Sequence, residues 1–141
     1  MNDITYPRSP REMMAGWIYL PRYIDKIRLH LAGNLHPDYQ PNFGKGFDGM
    51  WLLAADVTHE QMIEVVQNSL TDGDVCDWVR ENIKASPATK AAHRETMLSR
   101  PAPDDVPGQQ RLQQRKVEAG ITGRDDVKTF VDLIDADEKR I

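Results

Sequence analysis

Leu20-Pro-Arg-Tyr-Ile-Asp-Lys-Ile-Arg-Leu-His-Leu31-Ala-Gly33-Asn34 decides the fold, because a complete helix is written in it. Pro21 suits the first helical position, where its fixed φ is preorganised and its missing N–H would be unpaired anyway. Leu20, Ile24, Ile27 and Leu31 recur at i, i+4, i+7 and i+11, which is one apolar stripe. Gly33-Asn34 supplies a left-handed C-cap. At about 100° per residue, Tyr23, Lys26 and His30 run along one flank of the stripe, and Arg22, Asp25 and Leu29 lie opposite.

The same helical period extends in both directions, and no alternating strand is found. Ser9-Pro10-Arg11-Glu12 has the form of a capping box and predicts a helix to about Trp17. Residues 34–49 are rich in Gly, Pro and Asn and form a loop long enough to carry function. A short helix is expected at about 47–54 on Phe47, Met50, Trp51 and Leu53. Thr58 with Gln61 caps the next, facing Met62, Val65, Val66 and Leu70 inward. Thr71 opens another, with Val75, Trp78, Val79 and Ile83 as its stripe, and Ser86-Pro87 starts one running to about Ser99. Residues 100–107 form a Pro-rich connector, followed by a polar helix over 108–119 that ends at Gly120. Thr122 to Asp125 is expected to cap the last helix, with Val127, Phe130, Val131 and Ile134 inward. The expectation is an all-α domain of six to eight helices spanning 1–141: a core at 5–99, the connector at 100–107 and a helical arm at 108–141. That arm packs on the same chain or makes a homo-oligomer.

A chain of 141 residues buries roughly two-thirds of its unfolded surface and needs no disulfide or metal for stability. The net charge of −4 is unevenly spread. Residues 1–35 hold five Lys/Arg against three Asp/Glu, residues 36–84 three against nine, and residues 85–141 ten against ten. The single cysteine fits a reducing compartment. Neither a signal peptide nor a membrane-spanning run is found, so the cytoplasm is expected and no membrane partner.

Pro7-Arg-Ser-Pro-Arg-Glu12, Gly16, Leu20-Pro-Arg22, Ile24-Asp-Lys26, Arg28 and Ala32-Gly33 together resemble a family of small, mostly bacterial proteins known as a domain of unknown function. The similarity is strongest over 5–84, with an echo in Asp135-Ala-Asp-Glu-Lys-Arg140. It implies a small helical fold and brings no reaction, ligand or catalytic residue. Members often carry a tyrosine-rich stretch after the Ala-Gly; here Leu35 to Gly46 is longer and richer in glycine.

Three Pro-Arg pairs, at 7–8, 10–11 and 21–22, raise the question of an anion. Cations in the first turns sit at the unfavourable end of the helix dipole, and Arg22 and Lys26 repel each other at i, i+4. One answer is a small anionic or carboxylate-bearing molecule held by Arg8, Arg11, Arg22, Asp25, Lys26 and His30, with Asn42 and Lys45 closing from the loop. The other is internal pairing with the acidic middle of the chain, which the charge distribution favours. Gly44-Lys45-Gly46 is not a phosphate loop, since neither the full motif nor a preceding strand is there. His30, His36, His59 and His93 lack metal-ligand spacing, so no metal or cofactor is expected. His59, next to a cap, is expected to be solvated. Cys76, flanked by Asp74 and Asp77, is a poor nucleophile. The paired helices around Thr71 carry too many carboxylates for a nucleic-acid partner. Asp132, Asp135, Asp137 and Glu138 read as a solvated face. Three functions follow: a binding protein for an anionic ligand, an interaction or scaffold module, and an enzyme using His30 with Asp25 or Lys26.

Overall fold

In the computed structural model, which describes residues 4–141, the stretch from Leu20 to Leu31 is one helix, α1. Leu20, Ile24 and Ile27 are buried, while Leu31 surfaces in the last turn. Gly33, at φ 73°, closes the helix as its C-cap glycine, and Asn34 N–H donates to the Leu29 carbonyl at 2.8 Å.

The helix expected over 10–17 is not there. Met13–Met14 (β1) pairs antiparallel with Trp17–Ile18 (β2). The two residues between them, Ala15 and Gly16, have φ of 53° and 82°, which suits a two-residue hairpin turn. Ser9 spends its hydroxyl on Arg11 N–H and its carbonyl on Glu12 N–H, which makes a single turn. A helix would have had to cross Gly16, at about 1 kcal/mol relative to alanine, and the hairpin buries both Trp17 and Ile18 instead.

Beyond a 3-10 turn at Pro37–Asn42 come α2 (Gly46–Ala55), α3 (His59–Gln67) and α4 (Asp72–Asn82). The expected capping box of Thr58 with Gln61 forms, and Thr71, expected as a cap, forms a box as well, with Asp74. α1 packs on β1 and α3, and α3 packs on α4. Met62, Val66, Val75, Val79 and Ile83 are buried, but Leu70, expected inside, is exposed. Helix α3 ends at Gln67, so Leu70 belongs to the turn and the helical spacing from Met62 no longer governs it.

α5 (Pro87–Ser99), α6 (Val106–Glu118) and α7 (Phe130–Asp137) complete an all-α fold of seven helices among the described residues. The chain forms two compact units, one ending at His93 and one spanning Arg94–Ile141. In the second, Leu112, Val127, Leu133 and Ala136 make a core joined by Ile121 and Phe130. The last helix begins at Thr129, whose side chain forms a box with Asp132, and not near Thr122. Buried Lys116 explains the difference: its Nζ donates to the carbonyls of Arg124 (2.7 Å) and Val127 (3.4 Å), holding that segment as turns. Asp135 and Glu138 are buried and paired with Arg140, a correction to the solvated face expected of them. No helix among the described residues is long and apolar enough to cross a membrane.

Candidate functional site

One face of α1 carries the polar residues that the fold buries. Tyr19, Arg22, Tyr23 and Lys26 follow at i, i+3, i+4 and i+7, and His30, at i+11, ends the same face exposed. Arg22 and Lys26 are under 5% exposed, and Tyr19 and Tyr23 are buried as well. Tyr19 sits just ahead of α1 with φ 79°, a strained conformation for a side chain of its size.

Asp48, fully buried in the first turn of α2, ties this face to the loop. Its Oδ1 accepts from the Tyr19 hydroxyl at 2.5 Å. Its Oδ2 accepts from Lys26 Nζ at 2.9 Å and from Gly44 N–H at 2.9 Å. Burial, reinforced by Asp48, raises the Tyr19 hydroxyl well above its ordinary pKa, so it stays a proton donor. Arg22 donates to the Arg8 carbonyl at 3.1 Å and lies over the Tyr39 ring at 5.6 Å.

Towards the surface the site becomes aromatic. Phe43 lies between two imidazoles, 4.7 Å from the His30 ring centroid and 4.5 Å from that of His59. Gly44, at φ 77°, lets the chain pass: a Cβ there would stand 2.8 Å from the His59 ring. His59 Nδ1 is 2.5 Å from the Tyr23 hydroxyl. Burial pushes Tyr23 far above the usual phenol range, and burial lowers the His59 pKa. The Tyr23 hydroxyl finds no other acceptor among the described residues, and its proton is satisfied in the tautomer that leaves Nδ1 free to accept. The ring proton of neutral His59 then sits on Nε2 as a donor.

Arg8 is held elsewhere. Its backbone N–H and its guanidinium both grip Asp25, with Nε at 2.9 Å, and NH1 reaches Asp72 at 2.8 Å. Arg28 also pairs with Asp72. Although partial burial pushes the Asp72 carboxyl upward, these two arginines hold it below the usual range.

The chain belongs to the family described as a domain of unknown function (DUF5069). The match covers residues 4–140. No curated protein matches the chain.

Of the residues singled out in the sequence, the structure brings Arg22, Lys26 and His30 to the α1 face. Asn42 and Lys45 lie on the facing loop, with Lys45 N–H bonded to the Asn42 carbonyl. Arg8 and Asp25 form the separate surface network, and Arg11 is exposed near the hairpin. His30 makes no hydrogen bond to Asp25 or Lys26, the partners an enzymatic role had assigned it. Sequence reasoning missed Tyr19, Asp48, Phe43 and His59. His59 was expected to be solvated; Phe43 and Tyr23 cover it instead. Only the recurrence of Tyr19 and Tyr23 on the flank of Lys26 signalled the site. No group of three metal-ligating side chains occurs among the described residues.

Proposed function

We propose that this protein binds a small molecule bearing a carboxylate or phosphate, at the surface where His30, Phe43 and His59 meet. The observation that carries this reading is the Tyr23–His59 hydrogen bond, which anchors the half-buried His59 ring; with Tyr23 donating to Nδ1, the Nε2–H of the neutral ring is left to donate to a ligand. A donor held by a buried partner loses little freedom on binding, and preorganisation of this kind supplies affinity. The buried Tyr19–Asp48–Lys26 network supports it from behind. A buried ion pair contributes little net stability, and this one, through the Gly44 N–H, clamps the loop that carries Phe43. In this reading Arg22 and Lys26 set a positive background while His59, His30, Lys45 and Asn42 meet the ligand.

Melting curves against inorganic phosphate, sulfate, citrate and succinate test this, run on wild type and His59→Gln. An anion at ten times its Kd stabilises by about 1.4 kcal/mol, a shift of roughly 4 °C for a chain of this size. The wild type is expected to shift with dose for at least one anion and His59→Gln to shift much less. Flat wild-type curves across the panel, or equal shifts in both proteins, refute the proposal.

A further inference from the structure

α3 and α4 leave an open groove of about 670 Å³ between them, whose lining does not include His59. Val65, Leu70 and Trp78 supply its apolar lining. Leu70 is 93% exposed. It precedes the Thr71 cap, the position from which a hydrophobic residue normally packs onto the fourth helical residue, here Val75. Val75 is fully buried in the core, and Leu70 points away from it into solvent. The fold therefore makes no use of this leucine.

The rim of the groove carries one sign of charge. Glu64 comes from α3, and Asp74, Asp77 and Glu81 come from α4 at i, i+3 and i+7; no lysine or arginine lines the groove. Like charges so spaced on one helix face disfavour the helix. The backbone N–H groups of Leu70 and Thr71 hold the Asp74 carboxylate in place. An exposed apolar floor with a uniformly acidic rim complements a cationic amphipathic chain, as in helix-in-groove recognition.

We propose that the α3–α4 groove docks a cationic amphipathic segment of another protein, with an apolar anchor on Leu70 and Trp78 and its lysines or arginines against the four carboxylates. The contact is electrostatically steered, so its affinity falls with added salt.

The test uses a labelled helical peptide of about 14 residues, with leucines at i, i+4 spacing flanked by lysines, and its glutamate-for-lysine counterpart. Fluorescence anisotropy is expected to show the full-length wild type binding the basic peptide and not the acidic one. Leu70→Ser should weaken binding about tenfold or more while leaving the melting temperature unchanged, since the side chain is solvated. The Asp77→Lys/Glu81→Lys double variant, checked for helicity by circular dichroism, balances the two remaining carboxylates with two lysines and should lose the preference for the basic peptide. Failure of the wild type to bind, or equal binding of the basic peptide by the wild type and the double variant, overturns the proposal. Sedimentation provides a third measurement: self-association abolished by Leu70→Ser would make a second copy the occupant, which also overturns it.

Discussion

His93→Leu is expected to make this protein less sensitive to acid without unfolding it. His93 lies in α5, 6% exposed, with its ring edge-on to Trp17 at 5.5 Å. Neither ring nitrogen finds a partner among the described residues. Leaving such groups buried costs on the order of 1–3 kcal/mol. Replacing the ring forfeits an aromatic contact of about 0.5–1.5 kcal/mol. At pH 7.5, where histidine is neutral folded or unfolded, the variant should therefore match the wild type or exceed it by about 1 kcal/mol. Acid widens the gap. Burial lowers the His93 pKa in the folded protein, so only the unfolded chain takes up the proton as pH falls below about 6.5. At pH 5.5 that uptake favours the unfolded state by up to about 1.4 kcal/mol in the wild type and by nothing at this position in the variant. His59, lowered in the same direction, is common to both proteins and cancels in the difference. Urea unfolding followed by far-ultraviolet circular dichroism at pH 7.5, 6.5 and 5.5 measures the gap. A gap that stays constant across that range, or a variant less stable by more than about 2 kcal/mol throughout, would refute the assignment of His93 as an unsatisfied buried imidazole.

Lys26→Met leaves Asp48 buried without its cation and should destabilise by about 3–5 kcal/mol. Adding Asp48→Leu should recover part of that loss, and the coupling in a double-mutant cycle measures the pair; strictly additive effects would contradict it. Gly44→Ala should cost about 1–3 kcal/mol in denaturant titrations, because φ is 77° and the new methyl meets the His59 ring. Gly33→Ala is the control: the same sign of φ with nothing within 4 Å of the new methyl, and a cost near 1 kcal/mol. Equal losses at the two glycines would mean that the loop is not pressed against His59.

Local signals carried most of the fold. Thr58-x-x-Gln61 and Thr71-x-x-Asp74 cap their helices as their side-chain chemistry requires, and both boxes are legible without any neighbour. Ser9 to Glu12 has the same lettering and makes only a turn. The difference lies in Trp17, which is buried against Trp51 at 5.8 Å and draws the backbone into a hairpin. Thr122 and Thr129 offered competing starts for the last helix. The choice fell to Thr129 because Lys116, from α6, occupies the carbonyls of Arg124 and Val127.

The candidate site was half legible. Lys26 and His30 share a flank with Tyr23 by helical geometry alone, whereas Arg22, read as lying opposite, is buried with Lys26 in the structure; the charge distribution placed carboxylates in the middle of the chain. Which carboxylate answers which cation is not a local property. Asp48 and Asp72 are alike in sequence, yet one is buried against Lys26 while the other sits half-exposed between Arg8 and Arg28.

By itself, then, the sequence determined the helices from α1 to α6, the caps at Thr58 and Thr71 and the periodic face on which α1 sets Tyr23 beside Lys26, because i→i+4 bonding and side-chain capping act within a few residues. Only the tertiary structure decided what that face meets. Tyr23 finds His59 36 positions away and Lys26 finds Asp48 22 positions away. Pairings across such distances are set by how the helices pack and by the need to satisfy every polar group that packing buries.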